Sequence, residues 1–251
     1  MTKNVWITGG SSGIGKALAI KFATKGWKVA VSARRENLLQ ELNNNDSNIH
    51  PFPLDVKDES RTKKVFQGIV EKFHTIDICV FCTGIHDPDA EKKLSAEKIR
   101  EIMETNFFGT LNCIMAVNSY FRDRKNGHIA VVSSVAAYRG FPAASGYCAS
   151  KSALTSLAES LYFDFKRYVV KVSVISPGFI KTPMTDKNKF PMPMIKSSEY
   201  AAEKIFNGLT KKNAFEIHFP KAFTIMMKLL KIIPNWLYFF IVGRGAKRIK
   251  L

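Results

Sequence analysis

The chain has 251 residues, enough to bury a sizeable core, and its 46% hydrophobic and 24% charged residues are ordinary for a globular protein. The start, "MTKNVWITGG", runs straight into a strand and a glycine turn with no secretory pattern, so the expected location is cytoplasmic. The net charge of +17 calls for an anionic partner: a cofactor, a membrane surface or nucleic acid, although no nucleic-acid-binding module is recognisable and none is expected to be bound specifically.

In chain order, short β-branched runs alternate with longer helical patterns. Strand 4–8 feeds the glycine-rich stretch "TGGSSGIG" and a helix over 14–25. Strand 28–33, helix 36–43, strand 50–55, helix 58–73 and strand 76–81 follow. A long helix is predicted over 95–123, then strand 127–134, helix 147–167, strand 170–176, helix 198–210 and strand 214–219. Strands that are apolar on both faces and separated by helices belong to a doubly wound parallel sheet. No repeat, linker or composition break divides residues 1–220, which read as one α/β domain. Residues 221–251 form a basic, apolar appendix with seven Lys/Arg and no Asp or Glu. Its apolar segments, 222–233 and 235–242, fall short of the ~20 residues that a membrane-spanning helix needs. This extension is expected to pack on the domain or a partner subunit, or to lie in a membrane interface, the packing reading being preferred.

Cys79 and Cys82 form a C-x-x-C, but they sit in the apolar run "IDICVFCTG" and point to opposite faces of a strand. With no second Cys/His pair to complete a site, they read as core thiols, and no metal is expected.

Glycines at 9, 13 and 15 permit a tight strand-to-helix turn and let a pyrophosphate approach the helix N-terminus. The spacing is G-x-x-x-G-x-G rather than the familiar G-x-G-x-x-G. At the end of the second strand, where a site for NAD carries an acid, the sequence reads "SARRE": Ala33, then Arg34 and Arg35. A guanidinium there suits the 2′-phosphate of NADP. Asp55 is placed either to meet an adenine amino group or to cap the following helix.

Tyr147 and Lys151, in "SGYCASK", lie one helical turn apart on a shared face. An ammonium beside a phenol favours the phenolate, so the spacing predicts a lowered tyrosine pKa and a proton donor or acceptor working near neutral pH.

"TGGSSGIG", Asp55 in "LDV", Asn106 in "NFFG", Ser134 in "SS", "YCASK" and "PGFIKT" stand together in the order and spacing of the short-chain dehydrogenase/reductases, which the chain resembles from residue 5 to about 185. The resemblance implies a single Rossmann-type domain with a seven-stranded parallel sheet. It implies a proton-transferring Tyr147, a Lys151 that lowers its pKa and holds the nicotinamide ribose, a Ser134 that polarises the substrate oxygen, and an Asn106 that holds a relay water. Gly9, Ser11, Ser12, Gly13, Ile14, Gly15, Arg34, Arg35, Asp55, Val56, Gly84, Tyr147, Lys151, Pro177, Gly178, Ile180 and Thr182 are the implied NADP-binding residues. A homodimer or homotetramer, assembled through the helices around Asn106 and Tyr147, is also implied. The chain departs from the family where Phe81-Cys82-Thr83 replaces the usual Asn-Asn-Ala before Gly84.

Ile85, His86, Ala136 to Phe141 and the Met-rich loop after Thr182 are the expected lining of an apolar substrate pocket. The expected substrate is a small-molecule carbonyl or alcohol of apolar character. A weaker resemblance of "TGGSSGIGK" to the 3-ketosphinganine reductases makes that substrate lipid-like. His86 reads as structural rather than substrate-binding. The competing reading of the whole chain is a dinucleotide-sensing or scaffold protein without turnover, against which the complete Asn-Ser-Tyr-Lys set argues.

Overall fold

A computed structural model describes residues 3–248. Its elements are β1 (Asn4–Thr8), α1 (Gly13–Ala23), β2 (Lys28–Ser32), α2 (Glu36–Asn45), β3 (Ile49–Pro51), α3 (Glu59–Phe73), β4 (Ile78–Phe81), a short α4 (Pro88–Glu91), α5 (Ala96–Met103), α6 (Gly109–Arg124), β5 (Gly127–Val132), α7 (Ser145–Lys166), β6 (Val170–Pro177), α8 (Ser198–Asn207), β7 (Glu216–Phe219), α9 (Lys221–Ile232) and α10 (Asn235–Arg248). The strands form one seven-stranded sheet in the order β3-β2-β1-β4-β5-β6-β7, parallel throughout. Chain order reverses between β1 and β4, and this is where a doubly wound sheet opens a crevice at its carboxyl edge.

Both faces of the sheet are covered, as its apolar strands require. Val5, Ile7, Val29 and Val31 pack with Leu18 and Phe22 of α1, Leu39 of α2 and Ile205 of α8. Trp6, Cys79, Phe81 and Val131 pack on the other side with Phe66 of α3, Phe121 of α6 and Leu154 of α7. Cys79 and Cys82 join opposite layers, as their spacing on a strand predicts. Phe81 is 1% exposed and meets the Trp6 ring edge-on at 5.6 Å. The departure from Asn at this position is therefore a core substitution.

Three elements differ from expectation. β3 is only three residues long, because Pro51 and Pro53 have no N–H to give a ladder, although Phe52 and Leu54 still donate to Val31 and Ala33. The helix predicted over 95–123 is interrupted by a π turn, Glu104–Phe108, between α5 and α6. Helix α4, with Pro88 in its first turn and the Asp87 carboxylate accepting from Ala90 N, lies in a stretch where no element is expected.

Helices α9 and α10 occupy the apolar appendix. Phe223 and Met227 of α9 bury themselves against Val135 and Tyr138, with Phe141, Phe179 and Leu230 around them. Tyr238 of α10 donates to Gly140 O at 2.5 Å, and the Arg139 guanidinium sits 4.3 Å above its ring. The outward faces carry exposed Ile225, Met226, Leu229, Ile232, Trp236, Phe239, Phe240 and Ile241. Among the described residues, no helix is long and apolar enough to cross a membrane.

Restoring asparagine by Phe81→Asn is expected to destabilise the protein by about 3–5 kcal/mol, from the lost ring and a buried amide without built partners. Urea denaturation checks this: the midpoint should fall with the slope unchanged.

Candidate active site

The crevice at the β1/β4 reversal is a cleft of about 470 Å³. The chain segments at the carboxyl ends of β1 to β6 line it, so residues far apart in sequence converge there. All the residues expected to bind a dinucleotide line it: Gly9, Ser11, Ser12, Gly13, Ile14 and Gly15 after β1, Arg34 and Arg35 after β2, Asp55 and Val56 after β3, Gly84 after β4, and Pro177, Gly178, Ile180 and Thr182 after β6. Ser134, Tyr147 and Lys151 line it as well, whereas Asn106 lies immediately behind, fully buried.

The glycine turn is as tight as its sequence requires. A Cβ on Gly9 would stand 2.9 Å from the Cys82 carbonyl, and one on Gly15 would stand 2.3 Å from Gly9 O. Gly9 also holds φ at +69°, a left-handed conformation that a side chain would strain. The Ser12 side chain leaves the N-terminus of α1 uncapped. Instead, Arg35 bridges across to donate to Ser11 Oγ at 2.9 Å and to Ser12 Oγ at 2.8 Å. An uncapped helix start beside a guanidinium is a fit for phosphate. Asp55 accepts from Lys57 N at 3.1 Å, but the cap of α3 is Asp58, which accepts from Arg61 N.

At the other end of the cleft, the Lys151 ammonium donates to Val132 O at 2.9 Å and lies 5.7 Å from the Tyr147 ring centre. Asn106, in the π turn, grips Ile85 by both backbone groups: its Oδ1 accepts from Ile85 N at 2.7 Å and its Nδ2 donates to Ile85 O at 3.0 Å. Its Nδ2 also donates to Ser150 Oγ. A methyl on Gly84 would meet Lys151 Nζ at 3.4 Å and Asn106 Oδ1 at 3.5 Å, so these three groups are immediate neighbours.

The protonation states correct the expectation for the Tyr147–Lys151 pair. Burial pushes the Tyr147 phenol up to about 12, with the Ser134 hydroxyl opposing the rise. Burial likewise pulls Lys151 down to about 8. Burial outweighs any lowering by Lys151, because taking both groups out of water disfavours the charged form of each.

The expected pocket lining is also corrected in part. Ile85, His86, Pro183, Met184, Thr185 and Lys187 do line the cleft. Of the Ala136–Phe141 stretch, Tyr138 turns under α9 and donates to Glu216, and Ala136 packs with Ala144 and Cys148. One buried acid has no counterpart in the sequence reading: Glu91, 3% exposed, accepts from Gly146 N at 2.7 Å and Tyr147 N at 3.2 Å and contacts His86. An acid inside "DPDAEKK" carries no signal that separates it from a solvated face.

Comparison with known proteins agrees with this geometry. The family model described as short chain dehydrogenase matches residues 3–193. An "Uncharacterized oxidoreductase" of Myxococcus xanthus is 33% identical over 236 residues, covering 92% of this chain and 93% of its own. A Thermotoga maritima protein named 3-oxoacyl-[acyl-carrier-protein] reductase FabG is 32% identical over 185 residues, covering 72% of this chain and 75% of its own. Among solved structures, "ElxO with NADP Bound" superposes with a TM-score of 0.77 at 26% identity, covering 87% of this chain and 98% of that one.

A buried lysine with a depressed pKa weakens the fold wherever it is charged, so stability should rise with pH between about 8, the folded value, and the ordinary lysine value near 10.5. Lys151→Met should therefore raise Tm relative to wild type most below pH 8, with the gap closing toward pH 10.5. A gap that does not change with pH would contradict the burial.

Proposed function

Because the chain belongs to the short-chain dehydrogenase/reductase family, an oxidoreductase family acting on CH–OH groups, we propose that it is an NADP-dependent enzyme that interconverts a carbonyl and a secondary alcohol on an apolar, lipid-like substrate. The observation that carries this reading is the convergence of Tyr147, Ser134 and Lys151 at one end of a cleft whose other end offers the glycine turn and two arginines. The NADP-bound relative and the Arg35–Ser11–Ser12 cradle support the choice of NADP.

When bound, the nicotinamide supplies or takes the hydride. The side chains handle the proton and the charge. Ser134 and Tyr147 donate hydrogen bonds to the carbonyl oxygen, where negative charge develops in the transition state. Tyr147 then gives its phenolic proton to that oxygen. A phenol near 12 is fully protonated at neutral pH, which favours the reductive direction. Lys151, near 8, sits at the pH where it can return a proton, with Asn106 and Gly84 beside it. Arg34, Arg35 and the uncapped start of α1 would hold the phosphates of the dinucleotide, and Asp55 would meet its adenine.

Ile85, Pro183 and Met184 support an apolar acceptor, in keeping with the acyl substrate named for the Thermotoga relative. Phe108 and Met115 around α6 and Tyr162 and Phe163 on α7 are exposed apolar residues that suit pairing with a second copy. The outward face of α9 and α10 suits an anionic bilayer better than another copy. Residues 221–251 contain seven Lys/Arg and no acid, which suits a lipid surface of negative charge.

The central test is titration of NADPH and NADH by nicotinamide fluorescence. NADPH should bind more tightly, and Arg34→Ala and Arg35→Ala should each weaken it about tenfold or more while leaving NADH little changed. Tyr147→Phe should lower turnover by about 10²–10⁴-fold with NADPH affinity retained; near-normal turnover would overturn its role. For the tail, co-sedimentation with phosphatidylglycerol vesicles should be lost in Trp236→Glu/Phe239→Glu and absent with phosphatidylcholine. A dimer abolished by the same substitutions, with no vesicle binding, would assign the face to a second copy.

A further inference from the structure

A buried polar cluster beside Tyr147 has no part in the proton route above. Helix α7 begins at Ser145, and its N-cap residue, Ala144, has no side chain to satisfy the first amides. Glu91 satisfies them from 55 residues away: its Oε2 accepts from Gly146 N at 2.7 Å and from Tyr147 N at 3.2 Å. A negative charge at a helix N-terminus is also favoured by the helix dipole.

The second oxygen of Glu91 completes the arrangement. Oε1 lies 2.7 Å from His86 Nδ1, and the Glu91 side chain is wholly buried. Backbone amides can only donate, so Oε2 accepts, and where Oε1 accepts as well the Nδ1 of His86 carries the proton, the arrangement the proposal adopts. In the neutral ring, Nε2 is then bare. The His86 ring lies 4.6 Å from the Tyr147 ring, tilted by 36°. His86 is itself anchored, because the residue before it, Ile85, is held at both backbone groups by Asn106. Asn106, Ile85, His86, Glu91 and the start of α7 thus close a loop of contacts around the tyrosine.

We propose that Glu91 and His86 are positioning residues for Tyr147: Glu91 fixes the first turn of α7, and the His86 ring limits the orientations open to the phenol. The loop also explains why the chain buries a carboxylate next to a proton donor, since the acid replaces the missing N-cap. This inference rests on Tyr147 being the proton donor proposed above, but its structural half can be read without turnover.

The structural readout is NMR of ¹⁵N-labelled protein. Wild type should show His86 protonated at Nδ1, with the Gly146 and Tyr147 amides protected from exchange. Glu91→Gln keeps an oxygen for those amides and turns its NH₂ toward the ring, so it should preserve the protection and move the His86 proton to Nε2. Glu91→Ala should lose the protection. The opposite tautomer in wild type, or protection that survives Glu91→Ala, would overturn the arrangement.

The kinetic readout uses NADPH and 3-oxodecanoyl-N-acetylcysteamine as the probe carbonyl. His86→Ala should lower kcat about 10- to 100-fold with KM and NADPH affinity changed less than threefold, as expected for a misplaced reacting group. Glu91→Gln should retain most of the wild-type kcat. Unchanged kcat in His86→Ala overturns the proposal, and so does a loss confined to KM, which would make His86 a substrate contact. If wild type leaves the probe unreduced while NADPH binds, the substrate reading fails, and the tautomer and exchange results still decide the positioning claim.

Discussion

The reversal of strand order between the parallel neighbours β1 and β4 is the constraint on which the rest of the molecule depends. Both strands are paired along their length, so the turns that leave them must diverge to opposite faces, and a crevice opens between. The crevice can hold a dinucleotide only if backbone approaches backbone closely on its floor. Gly9 and Gly15 meet that demand, with no room for a methyl at either. The next strands outward, β5 and β6, deliver Ser134 and the Pro177–Thr182 segment to the same edge. Seven parallel strands sharing one polarity thus gather chemistry from most of the chain.

Burial is the second organising force, and at the proton-transfer end it outweighs pairwise charge. Tyr147 and Lys151 are both pushed toward their neutral forms, in opposite directions on the pH scale. A phenol that stays protonated at neutral pH, beside an amine that is mostly but not wholly charged there, suits the proton delivery proposed above. The same desolvation makes an isolated charge costly. Glu91 is tolerated because each of its oxygens has a partner: Oε2 the first amides of the helix that carries the tyrosine, and Oε1 the His86 ring.

Much of this was legible in the sequence, and the failures have local reasons. Strands buried on both faces announce themselves as continuous apolar runs, so the parallel sheet and its helices could be read directly. The glycine turn and the Tyr147–Lys151 spacing are short-range patterns whose geometry follows from one turn or one helix. The π turn at Glu104–Phe108 escaped because one extra residue shifts hydrogen bonds while leaving the apolar periodicity nearly intact. β3 ends before its apolar run does, because Pro51 and Pro53 cannot donate to a ladder. The sign of the Tyr147 shift was missed because spacing reports a neighbouring charge but not depth of burial. Glu91 was invisible, since its partners lie far along the chain and its surroundings look like a solvated run. Of the readings for the appendix, packing on the domain is what one face does, against Val135 and Tyr138, while the other face is exposed.

The most direct test of the account is a single-turnover experiment with NADPH carrying deuterium at the transferable position of the nicotinamide, against a panel of long-chain ketones and 3-oxoacyl thioesters. Product analysis by mass spectrometry should find one deuterium on the carbinol carbon and a proton from solvent on its oxygen. Bound NADPH that stays unoxidised across the whole panel would contradict hydride transfer to an apolar carbonyl and favour a protein that senses the dinucleotide without turning it over.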